Sequence, residues 1–360
     1  MPSKRIIELD GLRGMAALLV VISHFFGEVA HGSRLFTFGW LGVDVFFVLS
    51  GFLIGSIILE QHEKPRFLRI FYLKRAARII PVYAVVCIFA LIAAALTAGH
   101  VWSDHPYGAG VYSVFGANIA MSLFGGGGEW LRPTWTLDVE EQFYLIMPIL
   151  ICFTPRKLLP SLLIALWGSA VVTRFALHGT NPLATLSLLP CRMDLLLSGV
   201  MIALLNRKFD LSRYLMFLRV TPLIAMLVLL VLVAISPFTF FLLFSGSLAS
   251  IGIACFLLAI IHNAPEAVRF RSPVLRYFGQ ISYALYLVHQ PISGLLHGLL
   301  LNSVPDIATP AQIGVTLVSV VVSIGVAAAS WKWLESPILA WAQNYRFAPA
   351  EISPPAEAVS

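Results

Sequence analysis

The sequence predicts an all-α integral membrane protein of about ten transmembrane helices, on three observations. Of 360 residues, 59% are hydrophobic and only 12% charged, about half the charged share of a soluble globular domain. Apolar runs of spanning length, ~20 residues, recur along the whole chain. Lys and Arg cluster on one side of those runs. Ten spans would leave room for short loops only, so a soluble α/β enzyme is excluded, as is a disordered or collagen-like chain. The net charge of +6 fits cytoplasmic loop bias, and no nucleic acid partner is expected. Cys87, Cys152, Cys191 and Cys255 lie scattered in apolar runs and read as small hydrophobes rather than as a disulfide framework.

The spans fall at 12–31, 39–60, 79–98, 137–154, 158–177, 190–206, 220–236, 238–262, 281–300 and 312–334. Segment 111–124 is apolar but too short to cross, and it ends in Gly125–Gly128; it reads as a re-entrant or half-helix. Of the 24 Lys and Arg, all but Arg34, Arg132, Arg174 and Arg192 then share the side of the N-terminus. An eleventh span at 111–124 would invert everything after it and erase that bias. The expectation is therefore ten spans with both termini cytoplasmic, in the inner (cytoplasmic) membrane. The first span has the look of a signal peptide, but Arg13 and His24 interrupt it and no small-residue cleavage site follows. Residues 1–345 read as one membrane domain and 346–360 as a short disordered cytoplasmic tail. No inverted repeat is visible.

Ionisable groups inside spans are informative, because each costs at least ~2.5 kcal/mol at the bilayer centre. Arg13 and His24 stand eleven residues apart in the first span, about three turns and ~16 Å on one face. A snorkelling arginine with a satisfied core histidine explains the pair as well as chemistry does. Asp44, about one turn into the second span, comes out near the depth of His24, where it would fix the imidazole or merely cap a helix. Asp138, Glu140 and Glu141 open the fourth span; the helix N-terminus accounts for one or two carboxylates there, and the Glu pair is harder to explain structurally. Arg75 and Arg78 share a face at i, i+3 and suit a phosphate-bearing ligand, although positive-inside bias alone covers most of the basic cluster at 64–78. His289 lies beside Pro291, which releases a carbonyl one turn back; a structural kink is the default there. The other histidines have no zinc spacing, and no metal is expected.

These pieces in order resemble membrane acyltransferase family 3. The resemblance rests on Arg13-x10-His24, Gly42-Val43-Asp44-Val45-Phe46-Phe47 through Phe52, Arg75-x-x-Arg78, Trp135 through Tyr144, Tyr286-Leu287-Val288-His289 and Trp333-Leu334-Glu335-Ser336-Pro337. Two departures stand out. Many members carry a fused C-terminal hydrolase-like domain, whereas this chain stops after its last span. Thr134, Thr136 and Asp138 stand where the family often has serines.

The resemblance implies transfer of an acyl group, usually acetyl, from cytoplasmic acyl-CoA to a hydroxyl of an extracytoplasmic or lipid-linked sugar, with no bound cofactor. Acylation of a small molecule such as a macrolide is the alternative acceptor class. On this reading Arg13, Arg75 and Arg78 hold the donor phosphates. His24 is the general base, oriented by Glu141, Glu140 or Asp44. Trp135, Trp130 and His289 are candidates for the acceptor side, with Tyr107 and Tyr112 nearby. A proton-coupled transporter or flippase using His24, Asp44 and Glu141 as a relay is the competing class; the absent repeats count against it.

Overall fold

The computed structural model describes residues 6–235, 238–345 and 347. Among these there are helices and connections but no strand. The helices are α1 (Ile7–Ile22), α2 (Arg34–Thr37), α3 (Leu41–Gln61), α4 (Phe67–Leu96), α5 (Ala109–Ser113), α6 (Ala117–Phe124), α7 (Thr134–Phe153), α8 (Leu159–Leu177), α9 (Pro182–Ser187), α10 (Leu189–Lys208), α11 (Leu215–Ile235), α12 (Phe238–Ile261), α13 (Pro273–Leu301), α14 (Pro310–Ser330) and α15 (Ser336–Gln343). Nine helical stretches among the described residues are long and apolar enough to cross a membrane. The fourth predicted span, α7, has the length at 20 residues, but its three carboxylates leave it less apolar and outside those nine. The predicted tail, 346–360, lies outside the described residues apart from Phe347, as do Lys4 and Arg5.

Three boundaries differ from expectation for physical reasons. The basic stretch before the third span is itself helical, since α4 starts at Phe67; Lys and Arg are good helix formers and snorkel at a membrane face. The apolar segment 111–124 breaks into α5 and α6, and α6 with eight residues is only ~12 Å long. The last span continues from α14 through a π-helical turn, Trp331–Glu335, into α15.

Helices α1, α3, α10 and α13 form the centre. A Cβ added at Gly14 would stand 1.9 Å from the Leu275 carbonyl oxygen, and one at Gly279 1.9 Å from that of Asp10. Backbone therefore touches backbone where α1 crosses α13. Gly51 and Gly199 do the same for α3 against α10, at 1.9 Å and 2.2 Å from the carbonyl oxygens of Leu196 and Val48. In a membrane, where lipid tails compete equally with apolar side chains, such small-residue seams are what let helices associate. The seams fix α1, and with it Arg13 and His24, against α13.

Candidate active site

His24 does not sit on a regular α-helix. Residues Ser23–Gly27 form a π-helical turn at the end of α1, a distortion that frequently marks functional positions. The turn brings His24 Nδ1 to 2.6 Å from His289 Nε2 on α13, with the rings stacked at an interplanar angle of 4°. His289 is fully buried, and its Nδ1 is 3.1 Å from the Leu285 carbonyl oxygen. That carbonyl can only accept, so His289 Nδ1 carries a proton and Nε2 presents a lone pair. His24 must then donate from Nδ1, and in the neutral imidazole this leaves His24 Nε2 unprotonated. This second nitrogen lies 3.6 Å from Glu28 Oε1, the carboxylate oxygen that also accepts from Ser23 Oγ at 2.8 Å. Glu28 is half exposed, and its place one turn beyond His24 is the signal in the sequence that could have found it.

A cavity of about 110 Å³ opens between α1, α3, α4, α7 and α13. Arg13, Arg75 and Arg78 line it together with Glu140, Ser50 and Tyr144. Arg13 reaches Ser282 Oγ at 3.5 Å. Tyr144 donates to Glu140 Oε2 at 3.0 Å and is also hydrogen bonded to Ser50. Toward the histidines the cavity is bounded by Thr136 and Tyr286, which are hydrogen bonded at 2.8 Å. The Tyr286 ring stands 6.0 Å from that of His289. From the arginines to His24 the order is thus Arg13 and Ser282, then Tyr286, then His289, one turn apart along α13.

None of the expected carboxylates is hydrogen bonded or ion paired to His24. Asp44 is completely buried but pairs with Arg192, Oδ1 to Nη2 at 3.1 Å; depth alone placed it beside His24, and its azimuth on α3 points toward α10. Glu140 faces the arginine cavity, and Glu141 Oε1 is buried with no hydrogen-bond partner; neither is hydrogen bonded or ion paired to His24. Among the acceptor-side candidates, His289 is behind His24 rather than open to a ligand. It bonds Leu285, not the Leu287 carbonyl that Pro291 frees. Trp130 is 3% exposed and wedged against Gly294, where a Cβ would lie 1.9 Å from its Nε1. It is packing, not a sugar platform. Trp135 is half-buried, edge-on to Phe47 and under the Arg192 guanidinium.

Asp138 has a structural job. Its Oδ2 accepts from the backbone N–H of Asn118 at 2.9 Å, so it caps the short helix α6 across the chain. Tyr107 donates to the carbonyls of Gly125 and Gly126 at 2.8 and 3.0 Å. Asp104 receives the N–H groups of Glu129 and Trp130; burial pushes its carboxyl up despite those two bonds. No group of three His, Cys, Asp or Glu among the described residues could hold a metal ion.

The acyltransferase 3 family model, described as an acyltransferase domain, matches residues 6–331. The chain belongs to acyltransferase family 3. Its nine long apolar helical stretches among the described residues make it a multi-pass membrane protein. Among its curated relatives, the peptidoglycan O-acetyltransferase OatA of Listeria monocytogenes is 29% identical over 93% of this chain. The O-acetyltransferase OatA of Staphylococcus aureus is 27% identical over 92% of it. The chain spans 56% of the length of each. No solved structure matches it.

Proposed function

We propose that this protein is an O-acyltransferase that moves an acyl group, acetyl by analogy with the two relatives, from acyl-CoA to a sugar hydroxyl. The observation that carries the reading is the row along α13 from Ser282 at the three-arginine cavity, past Tyr286, to His289 and the His24 ring bonded to it. Arg13, Arg75 and Arg78 complement the donor phosphates, bidentate contacts being what guanidinium groups do best. The ~16 Å between Arg13 and His24 suits the pantetheine arm, with the thioester drawn past Tyr286. His24 Nε2 takes the proton of the acceptor hydroxyl as its oxygen attacks the thioester carbonyl. The carbon–sulfur bond breaks, and the proton passes to the departing sulfur. His289 stabilises the transient imidazolium through the Nδ1–H···Nε2 bond, and Glu28 does so from the other side. In this reading His289 and Glu28 take the orienting part, supported by their contacts with His24. The acceptor is proposed as an extracytoplasmic polysaccharide-type or lipid-linked sugar, and the location as the inner membrane.

The test is purified protein with labelled acetyl-CoA and a sugar acceptor. Wild type should place the label on the acceptor. His24→Ala should insert normally, because alanine suits lipid better than imidazole does, and should transfer nothing. Label that never leaves coenzyme A in the wild type would favour a transporter, and normal turnover by His24→Ala would remove the histidine from the chemistry.

A further inference from the structure

The wall between the arginine cavity and the histidines carries a surplus of hydrogen-bond donors. Three of them converge on one oxygen, the carbonyl of Pro133 at the head of α7. The Thr136 N–H donates to it at 3.3 Å, Thr136 Oγ1 at 3.0 Å and Tyr286 Oη at 3.1 Å. The two hydroxyls are also 2.8 Å from each other. A carbonyl oxygen has two lone pairs, so three donors exceed what it can take. Both side chains are buried, Thr136 at 6% exposed and Tyr286 at 7%. One hydroxyl proton can therefore turn to a ligand, while the other, with the Thr136 N–H, keeps Pro133 satisfied.

No other hydroxyl lining the cavity has a proton to spare. Tyr144 donates to Glu140, and Ser50 is bonded to Tyr144. Ser282 donates to the Gly279 carbonyl at 2.9 Å, and Tyr283 to that of Ile79 at 2.8 Å. Tyr286 is also the one placed between donor and base. It lines the arginine cavity and stands one turn before His289 on α13, with the two rings 6.0 Å apart. Phe46 holds its ring edge-on at 6.3 Å. Its hydroxyl is within electrostatic reach of Glu140 on the cavity side and of Glu28 on the His24 side. A thioester drawn from Arg13, Arg75 and Arg78 toward His24 passes that hydroxyl.

We infer that Tyr286 is the oxyanion donor of the acyl transfer and that Thr136 positions its hydroxyl. The inference rests on the reading of His24 as the base. As the acceptor oxygen bonds to the thioester carbon, the carbonyl π electrons move onto the carbonyl oxygen. Tyr286 turns its O–H to that oxygen, and Thr136 alone holds Pro133. The oxyanion then re-forms its double bond and expels the sulfur, which takes the proton held on His24. Tyr286 keeps its own proton throughout. A fixed donor in a site with little water is worth far more than the same donor in water. It acts on charge that exists only in the transition state, so it raises kcat rather than donor affinity.

Tyr286→Phe removes the donor and keeps the ring, with its packing against Phe46 and His289. With labelled acetyl-CoA and a sugar acceptor, kcat should fall about 10²- to 10³-fold. The KM for acetyl-CoA and the shape of the pH profile should not change, because neither the arginines nor the base is touched. Thr136→Val, close to threonine in volume, should lower kcat by less, since Tyr286 then has Pro133 alone to orient it. Binding of two donor analogues separates stabilisation from packing. S-ethyl coenzyme A has no carbonyl, whereas the hydrated ketone of trifluoroacetonyl coenzyme A presents a tetrahedral carbon bearing oxygens. Wild type should prefer the ketone; Tyr286→Phe should lose that preference by about 10-fold or more and bind S-ethyl coenzyme A as before. A kcat within about twofold of wild type in Tyr286→Phe would overturn the assignment. So would an equal loss of affinity for both analogues, which would make the ring a wall of the cavity. His24→Ala tests the base separately, since it should lose transfer and keep the preference for the ketone. Transfer retained by His24→Ala, together with the loss in Tyr286→Phe, would sink the base and keep the oxyanion donor.

Discussion

On the proposed mechanism the half-buried His24 acts as a base with its other nitrogen held, and the residue in hydrogen-bond contact with that nitrogen is a second histidine 265 positions along the chain. His289 would then act without touching substrate, as a positioning residue. His289→Leu removes the acceptor for His24 Nδ1–H and leaves the tautomer free. The expected result is a fall in kcat on the order of 10²-fold or more, with the KM for the donor unchanged. His289→Gln, which can still accept at Oε1, should recover part of the rate and shift the pH profile. Loss of donor affinity in parallel with kcat would show a structural role instead. The spacing from Arg13 placed His24 on the same face of the first helix, and the family resemblance gave it a role. The sequence could not show the His24–His289 contact, because a pairing across that separation depends on how α1 crosses α13. Asp44 was misplaced for the same reason: depth along a helix is readable from residue count, but azimuth is not.

At the scale of elements, four helices are tied together in the membrane by charge. Asp44 on α3 pairs with Arg192 on α10, and Arg174 on α8 pairs with Asp194 on α10 at 2.7 Å. Arg174 also donates to Ser247 on α12 and to the carbonyls of Cys191 and Leu243. Arg174 and Arg192 were two of the four cations on the wrong side of the positive-inside bias. That exception was itself the signal, since a cation that breaks the rule needs a partner inside the bundle. Arg192→Ala would leave Asp44 buried without its cation, which costs about 3–5 kcal/mol. It should lower the denaturation midpoint in detergent markedly, whereas the double replacement Asp44→Leu with Arg192→Met should restore most of the loss. A single variant as stable as wild type would mean that the pair is solvated or otherwise compensated. The same scale explains Asp138. Three carboxylates at the head of α7 looked alike in sequence, yet one caps α6 and one faces the arginines, according to which neighbour each meets. Elsewhere His31 Nδ1 lies 2.6 Å from Asp306 and ties the connection after α1 to the one before α14. Burial opposes ionisation of Asp306, but the side-chain and backbone bonds from His31 hold its carboxyl below the ordinary range.

For the whole molecule, the arginine cavity and the charge distribution make one argument about direction. Spanning length was readable without any contact, so the all-helical membrane fold class followed from composition and pattern. The cavity between α1, α3, α4, α7 and α13 was not readable, because only packing brings the faces of those helices together. Arg13, Arg75 and Arg78 lie toward the end of the bundle where the basic residues collect, and His24 lies toward the other end, beyond Tyr286. If the basic end is cytoplasmic, both termini are cytoplasmic as well, and reporter fusions at either end should be active only inside. Donor should then reach the site from the cytoplasm and the acceptor from the opposite leaflet. In sealed vesicles of known orientation, acetyl-CoA on the basic side should support transfer to an acceptor confined to the other side. Acetyl-CoA given only to the His24 side should not, because a polyanionic thioester cannot cross the hydrocarbon unaided and the arginines open the other way. Equal transfer from both sides, or product appearing only on the basic side, would break the link between the cavity's arginines and donor access even if His24 remained essential.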